Sequence, residues 1–349
     1  MSNVYVIAEA GVNHNGDLEL ARRLVDCAAE AGADAVKFQT FRAEDVVTPG
    51  AATADYQRAN TGATSQFDMI KALELDEAGH AEVAAHCARI GIEFFSTPFS
   101  EPAVDLLVRL GVRRIKMPSG EITNKPLLQH AAATGLPLLM SSGMATLDEV
   151  KRAVEWLREA RRAAGHGEFG PGELSLFHCT SAYPAPPEAL NLTAIPAMQR
   201  DLGVAIGYSD HSEGIEAALA AVALGATVIE KHITVDRTLP GPDHSASLEP
   251  GEFTQMVTGI RRVTAMRGDG AKAPTPAERD TARVARRSVA AACDIPAGAQ
   301  ITEAMLVCRR PATGIAPRDI GLVVGARARE AIAAMTVLQW EQLERGDGA

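Results

Sequence analysis

Three charged residues of this sequence stand where apolar residues would be expected. Lys37 in VKFQT and Lys116 in IKMPSGE each interrupt an apolar run near its carboxyl end, and Glu9 in VIAEAG does the same. A buried charge requires a compensating partner. Two lysines that face one cleft could bind a substrate carrying both phosphate and carboxylate groups. The alternative is that the lysines extend out of the fold or pair structurally with carboxylates.

Hydroxyl and glycine residues follow three consecutive apolar runs. These segments contain Thr97 before Pro98, Ser119 before Gly120, and Ser141 in SSGM. Hydroxyls and free backbone N–H groups at such loop starts bind phosphate oxygens. Each segment alone is a common turn, but three of them beside two lysines predict a phosphate site.

Two histidines, His211 in YSDH and His232 in EKH, end two further apolar runs. On neighbouring strands their imidazoles would lie side by side, as half of a metal site. With no thiolate at ligand spacing, two histidines completed by carboxylate or water oxygens suit Mn²⁺ or Mg²⁺ better than structural zinc. Each could instead be a hydrogen-bonded core residue. His14 and His178 also follow apolar runs and are candidate general acids or further ligands.

Carboxylates accompany these groups. Asp210 and Glu230 flank the two histidines, and Asp243 lies in the LPGPDHSAS segment. Carboxylates on loops are usually solvated. Glu9 is the strongest candidate for proton transfer because it interrupts a run that should be buried.

All these residues end short β-like runs that alternate with amphipathic, helix-like sequence. Eight continuous apolar runs are typical of parallel strands buried on both faces. Eight strand–helix units predict a (β/α)8 TIM barrel, whose chemistry lies at the carboxyl ends of the strands. The predicted strands are Val4–Glu9, Ala35–Gln39, Ile92–Ser96, Arg114–Pro118, Leu136–Ser141, Leu174–Cys179, Val204–Ser209 and Thr227–His232.

Capping residues predict where several helices begin. Asp17, Thr146 and Ser212 each precede an amphipathic segment, and Glu149 follows Thr146 at capping-box spacing. Residues 42–75 interrupt the alternation after the second strand and predict a long active-site loop or a short excursion.

The pattern changes after residue 270. We predict a TIM-barrel catalytic domain over 1–270, a linker over 271–287 that is rich in Ala, Pro and charge, and a small, mainly β domain over 288–349.

Composition excludes several classes of function. The chain of 349 residues has a formal net charge of −10, which argues against nucleic acid or an anionic membrane as a partner. The amino-terminal segment is predicted to form a strand and not a signal peptide. No apolar run is long enough to span a bilayer. Five scattered cysteines fit a reducing, cytoplasmic location.

In order, these motifs resemble the sialic acid (N-acetylneuraminate) synthase family. The matching segments include IAEAGVNHNGDLELARRLVDCAAEAGADAVKFQTF, FFSTPFS, IKMPSGEITN, SSGMATLDEV, HCTSAYPAP, GYSDHSEGI, VIEKHITVDRTLPGPDHSASLEP and RRPATGI. The resemblance covers nearly the whole chain, and the tail resembles the family's SAF (antifreeze-like, β-clip) domain. The KMPSGE and GPDH forms are similar to the bacterial NeuB-like branch that also contains legionaminate synthases.

This resemblance implies a transferase that condenses phosphoenolpyruvate with N-acetylmannosamine and water, giving N-acetylneuraminate and phosphate. The alternative acceptor is 2,4-diacetamido-2,4,6-trideoxy-mannose, which leads to N,N'-diacetyllegionaminate. In the implied reaction C3 of phosphoenolpyruvate attacks the aldehyde of the open-chain sugar, which a divalent metal polarises, and water then adds before phosphate leaves.

The resemblance also implies roles for single residues. Glu9 would handle the proton of the water or hydroxyl, and His211 and His232 would hold Mn²⁺ or Mg²⁺. The sugar would be contacted by Gln39, Tyr183, Asp243 and Arg310. Phosphoenolpyruvate would be held by Lys37, Thr97, Lys116, Ser119, Ser141 and Ser209.

Arg310 lies in the segment that resembles the SAF domain. In the family this arginine reaches the sugar's N-acyl group from the other subunit of a domain-swapped homodimer. The linker over 271–287 is long enough to permit that exchange.

Three other functions compete with this one. A barrel aldolase with a Schiff-base lysine at Lys116 or Lys231 would work without metal and release no phosphate. A synthase for a phosphorylated aldose would lack the SAF tail. A binding module on an inert barrel would have no need for Glu9, the two lysines and the two histidines.

Overall fold

A computed structural model of the chain describes residues 3–344, apart from the side chains of residues 55, 56 and 59. The chain forms two compact units, Met1–Gly268 and Asp269–Ala349.

The first unit contains an eight-stranded parallel sheet that curls into a barrel. Its order is β3-β2-β1-β8-β7-β6-β5-β4, and β3 packs against β4 where the two ends meet. This confirms the predicted (β/α)8 barrel. The strands are β1 Tyr5–Gly11, β2 Ala35–Thr40, β3 Glu93–Pro98, β4 Ile115–Met117, β5 Leu138–Ser141, β6 Leu174–Cys179, β7 Ala205–Asp210 and β8 Val228–His232.

Several strands extend further toward the barrel mouth than their apolar runs predict. β1 continues two residues past Glu9, and β3 continues to Pro98, which is paired with Thr40 of β2. The ladder is made by backbone N–H and C=O groups, so a polar side chain does not end it. The polar residues at these strand ends are therefore held by the ladder itself.

Helices cover the outside of the barrel and pack on its strands through apolar faces. Asp17 caps α1 and Thr146 caps α8 with a Glu149 capping box, as predicted. The prediction for Ser212 was wrong, because its hydroxyl donates to Asp210 at 2.6 Å and α10 begins later. The helices are α1 Leu18–Glu30, α2 Ala43–Val46, α3 Asp55–Thr61, α4 Gln66–Lys71, α5 Glu77–Ile90, α6 Glu101–Arg109, α7 Lys125–Ala133, α8 Leu147–Ala163, α9 Ala194–Leu202, α10 Glu216–Ala223 and α11 Pro250–Met266.

Residues 42–75 form the predicted excursion, which contains the three short helices α2, α3 and α4. Asn60 ties it to the segment after β8, since its Nδ2 donates to the carbonyl of Pro242 at 2.8 Å. The carbonyl of Ala72 lies close to Gly16, where an added Cβ would stand 2.8 Å from that oxygen. The excursion is thus hydrogen-bonded to the segment after β8 and lies close to the loop after β1.

The second unit is small and mainly β. It begins with α12 Pro276–Ala285 and continues through two antiparallel hairpins, β9 Ser288–Ala291 with β10 Leu306–Arg309 and β11 Arg327–Ala328 with β12 Leu343–Glu344. Its own buried apolar core includes Val289, Ile301, Ile315, Val323 and Leu338. No helix within residues 3–344 is long and apolar enough to cross a bilayer.

Candidate active site

A cavity of about 550 Å³ opens at the carboxyl ends of the barrel strands. The barrel residues to which the family resemblance gives a role in substrate binding, metal binding or proton transfer all line this cavity. They are Glu9, Lys37, Gln39, Thr97, Lys116, Ser119, Ser141, Tyr183, Ser209, His211, His232 and Asp243.

Glu9 and Lys37 occupy paired positions on β1 and β2. Lys37 Nζ lies 2.6 Å from Glu9 Oε2 and donates to Thr97 Oγ1 at 2.7 Å. Gln39 Nε2 donates to the other Glu9 oxygen at 3.2 Å. Gly11 makes room for this cluster: its φ is +54°, and an added Cβ would lie 3.2 Å from Glu9 Oε1. A larger residue at Gly11 would both strain the backbone and crowd the carboxylate.

Glu230 lies between the two lysines, and sequence reasoning had treated it only as a neighbour of the histidines. Its Oε1 is 3.1 Å from Lys116 Nζ and accepts from Ser209 Oγ at 2.9 Å. Its Oε2 is 3.9 Å from Lys37 Nζ. The signal that could have identified Glu230 is the one that identified Glu9, an acidic residue inside a buried strand.

The two glutamates differ in their electrostatic surroundings. Burial raises the pKa of Glu9 above its usual range, and the ammonium group of Lys37 offsets this only in part. Burial also disfavours the charged form of Glu230, but Lys116 and Lys37 together lower its pKa below the usual range. Glu9 can therefore exchange a proton near neutral pH, while Glu230 stays ionised.

The predicted hydroxyl groups lie on neighbouring strand ends. Ser119 Oγ accepts from the N–H of Gly143 at 3.0 Å and lies 3.2 Å from Cys179 Sγ. An added Cβ at Gly143 would stand 2.9 Å from the Ser119 hydroxyl, so the close approach requires glycine. Ser141 Oγ is buried and has no hydrogen-bond partner in the described part of the chain. An oxyanion in the cavity could supply that partner.

The histidines lie side by side, with ring centroids 5.6 Å apart. Nδ1 of His211 donates to the carbonyl of Thr180 at 2.7 Å, which leaves Nε2 as the acceptor nitrogen of the neutral ring. Tyr183 packs on His211 at 4.2 Å between ring centroids. Asp243 Oδ2 is 4.0 Å from Nδ1 of His232.

These donors fit a divalent metal. Burial lowers the pKa of both His211 and His232, so the rings are neutral and have a lone pair to offer. Nδ1 of His232 is buried without a hydrogen-bond partner among residues 3–344. No group of three or more His, Cys, Asp or Glu side chains forms a complete metal site in that range. Substrate or water oxygens would have to complete the coordination.

Lys231 lies outside the cavity lining. It is fully buried, with Nζ 2.8 Å from Asp210 Oδ2 and donating to the carbonyl of Ser212 at 2.6 Å. A lysine held this way cannot reach a carbonyl substrate in the cavity. The Schiff-base alternative is thus left with Lys116, which pairs with Glu230.

Three further candidates lie elsewhere. His14 accepts from the N–H of Gly16 at 3.0 Å, and His178 Nε2 contacts the carbonyl of Leu190 at 2.7 Å. Both are therefore engaged in local contacts, and neither lines the cavity. Arg310 is exposed in the second unit, directly after β10.

Comparison with known proteins gives two family matches. Residues 24–272 match the NeuB family, and residues 286–344 match the SAF domain.

Among proteins of known name, the chain is 46% identical over 341 residues to an N,N'-diacetyllegionaminic acid synthase of Legionella pneumophila. This alignment covers 97% of the chain and 94% of the Legionella protein. A synthase of the same name from Campylobacter jejuni is 44% identical, over 90% of the chain and 92% of its own length.

Among solved structures, an N-acetylneuraminic acid synthetase of Leptospira borgpetersenii superposes with a TM-score of 0.70 at 36% identity. The superposition covers 80% of the chain and 90% of the Leptospira protein.

Proposed function

The chain belongs to the NeuB family of synthases, enzymes that condense phosphoenolpyruvate with an amino sugar, and from that premise we propose that its acceptor is 2,4-diacetamido-2,4,6-trideoxy-mannose. The product would be N,N'-diacetyllegionaminate. Two relatives named for that product are 46% and 44% identical to the chain. They favour this acceptor over N-acetylmannosamine, which the sequence motifs alone had placed first.

The observation that supports the use of phosphoenolpyruvate is the charged cluster at the strand ends that form the floor of the cavity. Lys37 and Lys116 are both buried there, and each contacts Glu230. Phosphoenolpyruvate carries a phosphate and a carboxylate, which matches two separate ammonium groups. The unpartnered hydroxyl of Ser141 is then available to a substrate oxygen.

Glu9 is the proposed group for proton transfer. Its raised pKa lets it take a proton from water or a hydroxyl and later return one. Lys37 and Gln39 each contact one of its oxygens and hold the carboxylate in place. Glu230 stays negatively charged and orients Lys116, whose Nζ lies 3.1 Å from Oε1, while Oε2 lies 3.9 Å from Lys37 Nζ.

His211 and His232 would hold a divalent cation, Mn²⁺ or Mg²⁺. Such an ion, when bound, supplies Lewis-acid polarisation of the aldehyde oxygen of the acceptor. Asp243 and Tyr183, beside the histidines, would contact the hydroxyls of the sugar.

Arg310 contributes to the proposal through the family resemblance alone. We propose that it contacts the N-acyl group of the acceptor from the partner subunit of a domain-swapped homodimer. We also propose that the enzyme works in the cytoplasm.

The test is phosphate release from phosphoenolpyruvate and Mn²⁺, with each of the two sugars supplied separately and EDTA as the control. We expect metal-dependent release with 2,4-diacetamido-2,4,6-trideoxy-mannose and much less with N-acetylmannosamine. Release with N-acetylmannosamine alone would reverse the choice of acceptor. Release that persists in EDTA would contradict the metal site.

A further inference from the structure

One wall of the cavity is apolar, in contrast to its charged floor. The floor is built from strand ends of the barrel, whereas the wall comes from the excursion and from segments that follow β2 and β3. We call this the apolar wall, and it consists of Phe41, Val46, Met69, Ile70, Leu73 and Phe99.

Four residues of the apolar wall, Phe41, Ile70, Leu73 and Phe99, belong to a packed cluster, which fixes the shape of that part of the wall. Val12, Phe41 and Leu73 form a buried apolar core, against which Ile70 and Phe99 pack. The rings of Phe41 and Phe99 meet edge to face, with centroids 5.9 Å apart. Interdigitated side chains of this kind leave little freedom to rearrange around a different ligand.

Polar contacts anchor the backbone behind the wall. Glu74 Oε1 accepts from the N–H of Ala43 at 2.6 Å, where α2 begins. Lys71 at the end of α4 pairs with Glu74 at 3.0 Å and with Glu44 at 2.8 Å. The two helices that carry Val46 and Ile70 are thus linked to each other.

The order of carbons along the acceptor decides which part meets this wall. C1 must lie at the floor, where it forms the bond to phosphoenolpyruvate, and C2 with its acetamido group follows. C6 is at the far end of the chain, away from the charged floor. A hydroxymethyl group against an apolar surface would lose its water without gaining a hydrogen-bond partner, which is unfavourable. A methyl group has no such cost.

We propose, on the basis of the function proposed above, that the apolar wall is the specificity surface for C6 of the acceptor and selects 6-deoxy sugars. Ile70 and Val46 are the two residues best placed to test it, since both line the cavity while retaining some exposure. A polar side chain at either position gives a 6-hydroxyl group a partner.

The experiment compares two sugars that differ by one oxygen. They are 2,4-diacetamido-2,4,6-trideoxy-mannose and its 6-hydroxy counterpart, 2,4-diacetamido-2,4-dideoxy-mannose. We expect the full-length wild-type enzyme to prefer the 6-deoxy sugar by about 10- to 100-fold in kcat/KM. Ile70→Asn should reduce that preference by about tenfold and leave the KM for phosphoenolpyruvate unchanged.

Two further variants distinguish a change in sugar preference from a loss of folding. Val46→Thr is nearly isosteric at a position that is 36% exposed, and should shift the preference in the same direction by a few fold. Ile90→Asn makes the same exchange as Ile70→Asn at the end of α5, on a side chain 41% exposed and outside the cavity lining, and should leave the preference unchanged.

The outcomes separate this inference from the function on which it rests. A wild-type enzyme that releases phosphate with both sugars equally, or a preference unaltered in Ile70→Asn and Val46→Thr, overturns the specificity surface alone. If neither sugar supports phosphate release by the wild-type enzyme, the proposed function fails and the inference falls with it.

Discussion

At the scale of single residues, the site depends on two buried glutamates with different tasks. Glu9 contacts one lysine and Glu230 contacts two. We propose that the same residue type exchanges a proton in one position and holds charge in the other. Their pKa values differ because burial and the neighbouring Glu230 charge outweigh the lysines at Glu9, whereas at Glu230 the two lysines and the Ser209 hydroxyl outweigh burial.

We expect Glu9→Gln to remove proton transfer while leaving the phosphoenolpyruvate site intact, because Lys37 still contacts Thr97 and Glu230. The value of kcat should fall by about 10²- to 10⁴-fold. Steady-state kinetics and a direct binding titration with phosphoenolpyruvate would measure both effects. The control is Glu30→Gln, on the exposed end of α1. A kcat within tenfold of wild type would contradict the role of Glu9.

Three of the charged residues in the cavity could be identified from the sequence, whereas the role of Glu230 could not. Glu9, Lys37 and Lys116 were identified because a charge inside an apolar run is unusual. Glu230 carries the same signal, but it stands beside Lys231 and His232, and sequence alone could not show which of these face the cavity. Side chains alternate along a strand, so neighbours point in opposite directions.

At the scale of elements, the last two barrel strands are joined by more than their ladder. Asp210 on β7 and Lys231 on β8 form a fully buried ion pair at 2.8 Å. Asp210 also accepts from the N–H of Ser212 at 2.9 Å. The pair directly adjoins His211 and His232 in sequence, and so fixes the strand ends that carry both histidines.

We expect Lys231→Met to lower the free energy of unfolding by about 3–5 kcal/mol, because it leaves the Asp210 carboxylate buried without its cation. The double variant Lys231→Met/Asp210→Asn should recover much of that loss, since no uncompensated charge remains. Urea unfolding of the two variants and the wild type measures the difference. Equal destabilisation of the single and double variants would show that the ion pair is not the cause.

The excursion is the element least accessible to prediction. Its interruption of the strand–helix alternation was visible in the sequence, but the helices α2, α3 and α4 are only four, seven and six residues long. Helices this short have little stability of their own and form through tertiary contacts. The contact of Asn60 with Pro242, 182 residues away in sequence, is one example.

At the scale of the whole molecule, neutral buried histidines make the stability of the fold depend on pH. Burial and nearby His80 lower the pKa of His14 to about 4, and Asp17 opposes the shift. An unfolded histidine titrates near 6.5. Between these two values the unfolded chain binds a proton that the folded chain does not, so stability falls as pH decreases from 6.5 toward 4.

We expect His14→Gln to remove this part of the pH dependence, because glutamine can still accept from the N–H of Gly16 without binding a proton. The contribution of His14 amounts to about 2 kcal/mol between pH 7 and pH 5. Urea unfolding of both proteins at the two pH values gives the difference. An identical loss of stability in wild type and variant would contradict the assignment.

The barrel, the small β unit and the residue types of the candidate site could be predicted from the amino-acid sequence. Alternation of apolar runs with amphipathic segments is a local property, and so is a charge placed within an apolar run. Which side chains contact one another depends on the folded chain. Folding brings Glu230 between Lys37 and Lys116 and places Lys231 out of reach of the cavity. The facing direction at each strand end depends on the ladder, and the ladder joins residues that are distant in sequence.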